Sequence, residues 1–271
     1  MVGKLIKHEI RRTLRWYLII VAGAVLVVGL ATLAAVLLPA PINTLFAVLT
    51  VVGAAAVPTA VPVWLGFDFY RSSYSKTGYL TRAIPVKGST IYWVKLLYAY
   101  VLSVIALVVA AGLGYLAAVS FAVVGGGSVG GVNDAIAGAL DAMGRMLPGW
   151  VIALLVAFIL VWPFVWLASY YFAAAVGSEA WSSKMGIGGP VLVWFLFYVV
   201  GQVTAILGAF LPLQLVFDEA GTVGFQARLV NIFTIEEQSV VPVGMFLTML
   251  VLSAVAIVWA SVSFDKKVEL R

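Results

Sequence analysis

The side chains able to do chemistry gather in one stretch, Gly66 to Lys95, GFDFYRSSYSKTGYLTRAIPVKGSTIYWVK. It holds Asp68, Arg71, Lys76, Arg82, Lys87 and Lys95, with seven aromatic residues threaded between positions 67 and 93. The chemistry this suits is recognition, since a loop so basic and so aromatic is where a partner protein would grip this one. Catalysis lacks its parts. Cysteine is absent, which excludes disulfides, thiolate metal sites and catalytic thiols. The single histidine, His8, stands in the basic N-terminal segment, so neither a Ser-His-Asp set nor an HExxH zinc helix exists. No GxxxxGK[ST] phosphate loop is present, and Gly125-Gly126-Gly127-Ser128 reads as a linker. The chain is therefore not expected to be an enzyme, nor to hold a metal or cofactor of its own.

The elements that must position this stretch are membrane spans. No Asp, Glu, Lys or Arg occurs in the 52 residues from 16 to 67 or in the 38 from 96 to 133. The 271 residues are 64% hydrophobic with a mean hydropathy of +1.13, apolar surface that lipid can solvate and a soluble core cannot absorb. About 20 residues cross the hydrocarbon, so the first run holds two spans, roughly 16–38 and 43–65, joined at Pro39-Ala40-Pro41. Pro58 and Pro62 predict a kink in the second. Further spans are expected at about 96–120, 149–173, 187–211 and 240–262. The expectation is an all-α integral membrane protein of six transmembrane helices, one transmembrane domain over 1–271.

Residues 1–15 carry Leu5, Ile6, Ile10 and Leu14 at helical spacing among Lys4, Lys7, Arg11 and Arg15, which predicts an amphipathic interfacial helix. The run that follows is longer than a signal-peptide core, so an uncleaved first span is expected. Segments 121–148 and 212–239 are expected outside, the first with a short amphipathic helix over Asn133–Leu147. Of the 16 Lys and Arg, 14 fall on the side of the N-terminal segment, the 66–95 loop, Lys184 and the C-terminal tail. By the positive-inside rule that face and both termini are cytoplasmic. The formal charge of +5 then belongs to a membrane surface, and no nucleic-acid partner is expected.

No predicted span contains Asp, Glu, Lys, Arg or His, which argues against an ion- or proton-coupled carrier. Thr50, Ser103, Gln202 and Thr204 are among the polar groups left at depth. Gln202 is the pathway candidate, with helix-to-helix hydrogen bonding as the plainer role. Gly112, Gly114 and Ala118 give the third span a small-residue stripe suited to close packing.

The loop has a further look. Asp68-Phe69-Tyr70, Gly78-Tyr79-Leu80-Thr81, Ile84-Pro85-Val86 and Lys95-Leu96-Leu97 resemble the first cytoplasmic loop of type-2 ABC transporter permeases, the export-type family. Ile6 to Arg12 and the six-span plan are similar to the same family. The resemblance implies a permease subunit of an ATP-driven exporter in a prokaryotic cell membrane, moving an amphipathic or hydrophobic substrate such as a peptide, drug or lipid. It implies a separate ABC ATPase carrying the ATP and Mg, and a second permease copy or paralogue. The 66–95 stretch becomes the coupling loop, with Tyr79, Leu80, Arg82, Pro85 and Lys87 as its ATPase-docking residues. It also implies that 212–238 can dip back as re-entrant helices between spans five and six. A stand-alone carrier or channel, and a non-transporting membrane anchor, are the alternative readings.

Overall fold

The computed structural model describes residues 2–75, 78, 86–179, 185–217, 223–227 and 239–266. In chain order its elements are α1 (Val2–Leu37), α2 (Ile42–Tyr74), α3 (Gly88–Val124), α4 (Val129–Met146), α5 (Gly149–Val176) and α6 (Gly188–Ala209). Strands β1 (Gln214–Phe217), β2 (Val223–Gln226) and β3 (Ser239–Pro242) follow, then α7 (Val243–Lys266). Among the described residues six helices, all but α4, are long and apolar enough to cross a membrane. That is the pattern of a multi-pass membrane protein.

The first three helices exceed the expected spans. α1 has 36 residues, about 54 Å at 1.5 Å per residue, against a hydrocarbon layer of about 30 Å. The amphipathic segment 1–15 and the first span are one helix. No breaker stands at the expected joint, and Glu9, Thr13 and Tyr17, which straddle it, all bond to α3. The helix ends before Pro39, and the Ile42 N–H reaches back to the Pro39 carbonyl at 3.1 Å to start α2. α2 passes through Pro58 and Pro62 and continues to Tyr74. α3 begins at Gly88, so residues 66–74 and 88–95 are helix ends, and the expected 66–95 loop narrows to the residues between them.

The chain divides into two compact units, Met1–Leu65 with Val94–Ala142, and Gly66–Trp93 with Met143–Arg271. The boundaries fall inside α2, α3 and α4.

In the first unit, α1 and α2 approach closely where Gly53 faces Val28. A Cβ on Gly53 would lie 2.5 Å from the Val28 side chain. Val28, Ala31, Ala35, Ala47 and Thr50 are buried around this contact. The short amphipathic helix expected over Asn133–Leu147 is present as α4, whose larger part belongs to this unit, with Ile136 and Leu140 exposed.

In the second unit, α5, α6 and α7 pack through glycines and rings. A Cβ on Gly177 would meet the Pro190 backbone at 2.5 Å, and one on Gly208 would lie 2.8 Å from the Gly244 carbonyl oxygen. Phe172 packs against Phe197 and Trp259, and Phe158 against Phe246. Between α6 and α7 the described residues form an antiparallel sheet in the order β2-β1-β3, pairing Leu215 with Phe225 and with Val241. In the described part of 212–238, strands β1 and β2 thus stand where the resemblance implies re-entrant helices, and the rest of that segment lies outside the described residues. The run from Leu215 to Phe217 is apolar and partly β-branched, and Gly221 and Gly224 disfavour helix, so pairing is the better local solution.

Candidate functional site

The ends of α2 and α3 that flank the polar stretch are built into an aromatic cluster. Phe69, on the last turns of α2, is 1% exposed. It stacks on Tyr171 of α5 with ring centroids 4.0 Å apart and planes 12° from parallel. Phe264 of α7 lies 5.9 Å from Phe69, and Tyr92 of α3 meets Phe69 edge-on at 5.8 Å. Tyr92 also touches Tyr171 and Phe264. Four helices therefore meet on four rings, each offset or edge-on pair adding about 0.5–1.5 kcal/mol beyond area burial. Gly66 lets this happen one turn earlier, since a Cβ there would sit 2.5 Å from Tyr170.

Polar contacts fix the same place. At the start of α3 the Ser89 N–H donates to Asp265 Oδ1 at 3.3 Å, a carboxylate brought from the last turn of α7. Such a carboxylate suits a helix N-terminus by hydrogen bond and by dipole. The Lys87 carbonyl accepts from Thr90 and Ile91, opening the helix, and Lys87 itself is exposed. Beside this, Ser263 of α7 donates to Glu179 Oε1 at 2.8 Å. The Tyr92 hydroxyl, fully buried, has no hydrogen-bond partner among the described residues.

A separate polar seam joins α1 to α3 in the first unit. Lys95 Nζ lies 3.3 Å from Glu9 Oε1, and Arg12 Nε donates to Glu9 Oε2 at 3.2 Å. One turn on, the Thr13 hydroxyl donates to the Glu9 carbonyl and shares a 2.9 Å hydrogen bond with the Tyr98 hydroxyl. Another turn on, the Tyr17 hydroxyl donates to the Leu102 carbonyl at 3.0 Å. Positions 9, 13 and 17 meet 95, 98 and 102 in ascending order, so the two helices run parallel. Glu9 and Lys95 are 7% and 5% exposed, a buried ion pair that needs its complete set of partners to be tolerated.

Of the predicted docking residues, Tyr79, Leu80, Arg82 and Pro85 lie outside the described residues, and Lys87 stands exposed at the entry to α3. Gln202 is exposed on α6 and belongs to neither cluster. Among the described residues the Gly112 and Gly114 stripe meets no close neighbour, as a Cβ on either would find no atom within 4 Å. Gly114 and Ala118 line instead an open apolar groove of about 430 Å³ with Val51, Ala54, Ala110 and Phe121.

No family model, curated protein or solved structure matches this chain.

What sequence reasoning missed are the long-range partners. Lys95 reads as the end of the 66–95 loop, and Glu9 lies without an assigned role in the predicted interfacial helix. The available signal was that Glu9 is the only acid before Asp68 and sits among five Lys and Arg, the position of a counter-ion.

Proposed function

We propose that this chain is the transmembrane permease subunit of an ATP-driven ABC exporter, both termini cytoplasmic, with a separate ATPase docking on the stretch between α2 and α3. The observation that carries this reading is the aromatic seat. The two helix ends that present the stretch are fixed to α5 and α7 through Phe69, Tyr92, Tyr171, Phe264 and Asp265. A partner pushing on the stretch would load α5 and α7 directly, as an energy-coupling element requires. The residues that would touch the ATPase are Tyr79, Leu80, Arg82, Pro85 and Lys87, with ATP and Mg held by that partner. The substrate would be amphipathic or hydrophobic, because the helices offer mainly apolar side chains to it.

The hydroxyls inside the helices favour this over an ion-coupled carrier. Thr50, Ser103, Ser120 and Ser253 are buried, and each donates to a carbonyl of its own helix. They serve backbone hydrogen bonding and do not converge on an ion path.

The test is mild-detergent purification of tagged protein from its native membrane, with mass spectrometry of what accompanies it. A stoichiometric soluble ATPase bearing a phosphate loop is the expected result. Protein that emerges alone moves the reading to a stand-alone carrier or an anchor.

A further inference from the structure

We propose that the exposed cationic face at the start of α1 binds the phosphate groups of anionic membrane lipids, with Arg11 and Arg15 as the primary contacts. At about 100° per residue, Lys4, Lys7, His8, Arg11 and Arg15 fall within a sector of roughly 100°. All five are exposed, and among the described residues none has an ion-pair partner. The opposite face carries Glu9, Thr13 and Tyr17, the residues spent on α3. The one carboxylate on this end of the helix is therefore turned away and already held by Lys95 and Arg12. Among the described residues no carboxylate competes with an incoming anion.

Continuity with the span sets the depth. Arg15 directly precedes Trp16, the first residue of the long uncharged run, and Trp16 is 60% exposed, as an interfacial indole would be. Along an unbroken helix Arg15 and Arg11 stand about 1.5 and 7.5 Å outside Trp16, while Lys7 and Lys4 stand about 14 and 18 Å outside it. A headgroup layer is roughly 5–8 Å deep on each side. The two arginines lie within it, and the two lysines act on it only through a field screened over about 8 Å. Exposed Leu14, about 3 Å outside Trp16, borders the stripe within the same layer, an apolar neighbour for the lipid whose phosphate the arginines hold. Arginine's planar fork suits phosphate oxygens.

This depth is what separates lipid from an acidic protein surface, and it rests on α1 crossing the membrane whatever the chain transports. The experiment uses purified full-length protein reconstituted in phosphatidylcholine containing a trace of spin-labelled phosphatidylglycerol or spin-labelled phosphatidylcholine. The fraction of each label immobilised at the protein is read by electron paramagnetic resonance. Wild type is expected to prefer phosphatidylglycerol severalfold at low salt, with the preference shrinking at 0.5 M salt. Arg11→Gln with Arg15→Gln should lose at least half of it, Lys4→Gln with Lys7→Gln distinctly less, and Arg11→Lys with Arg15→Lys should keep most. Unchanged preference in the double-arginine variant overturns the proposal. So does an equal or larger loss in the lysine variant, which would assign the stripe to a partner beyond the headgroups.

Discussion

Phe69 and Tyr171 lie face to face, 4.0 Å between ring centres, joining the end of α2 to α5. The contact is made by a residue two positions past the first charge-free run, where a sequence reading sees a loop begin. The helix has not ended there. Its last turns carry Phe69 inward while Arg71 stays exposed, so one segment both packs and faces water. That dual character explains why aromatics and charges alternate through 67–74.

Phe69→Ala should therefore cost about 3–5 kcal/mol, the usual range for a fully buried ring truncated to a methyl. Phe69→Leu, which keeps most of the volume, should cost clearly less. Thermal unfolding of the purified protein in one detergent ranks the three. Equal midpoints for Phe69→Ala and wild type would mean the ring is not packed as described.

Tyr92→Phe should behave in the opposite sense. Its hydroxyl is buried among Phe69, Tyr171 and Phe264 with no hydrogen-bond partner among the described residues, a burden of about 1–3 kcal/mol on the fold. Removing the oxygen keeps the ring contacts and relieves that burden. The variant should melt at or above the wild-type temperature. A drop would show that the hydroxyl has a partner after all.

The spans were legible because their signal is local. Length and charge-free composition place a membrane helix without reference to its neighbours, and six helices stand close to the expected positions. The site was less legible because its parts are joined over distance. Asp265 caps a helix that starts 177 residues earlier, and Glu9 finds Lys95 across 86 residues. Small-residue patterns misled for the same reason. Gly114-xxx-Ala118 has the spacing of a packing face, yet other glycines, Gly53, Gly66, Gly177 and Gly208 among them, are the ones that meet a neighbour.

The Glu9–Lys95 pair yields a double-mutant test. Glu9→Gln leaves Lys95 and Arg12 without their carboxylate, and Lys95→Met leaves Glu9 with Arg12 alone. Breaking a buried pair by one member costs about 3–5 kcal/mol, whereas replacing both members is far milder. Glu9→Gln should therefore destabilise strongly, and adding Lys95→Met to it should recover a large part of the loss. Additive losses in the thermal midpoints would mean that the two side chains do not interact.

The glycines supply the sharpest contrast. On Gly208 a Cβ would lie 2.8 Å from both the Gly244 carbonyl oxygen and Met245 Cα, backbone atoms that cannot swing aside, so Gly208→Ala must push α6 off α7. On Gly114 it would meet nothing within 4 Å, and alanine there removes the entropic handicap of glycine in a helix, about 1 kcal/mol. Gly208→Ala should lower the thermal midpoint by several degrees, and Gly114→Ala should leave it unchanged or raise it slightly. A chain in which Gly114→Ala is the harmful variant would place a helix in the open groove beside it, and the packing of α2 on α3 would need redrawing.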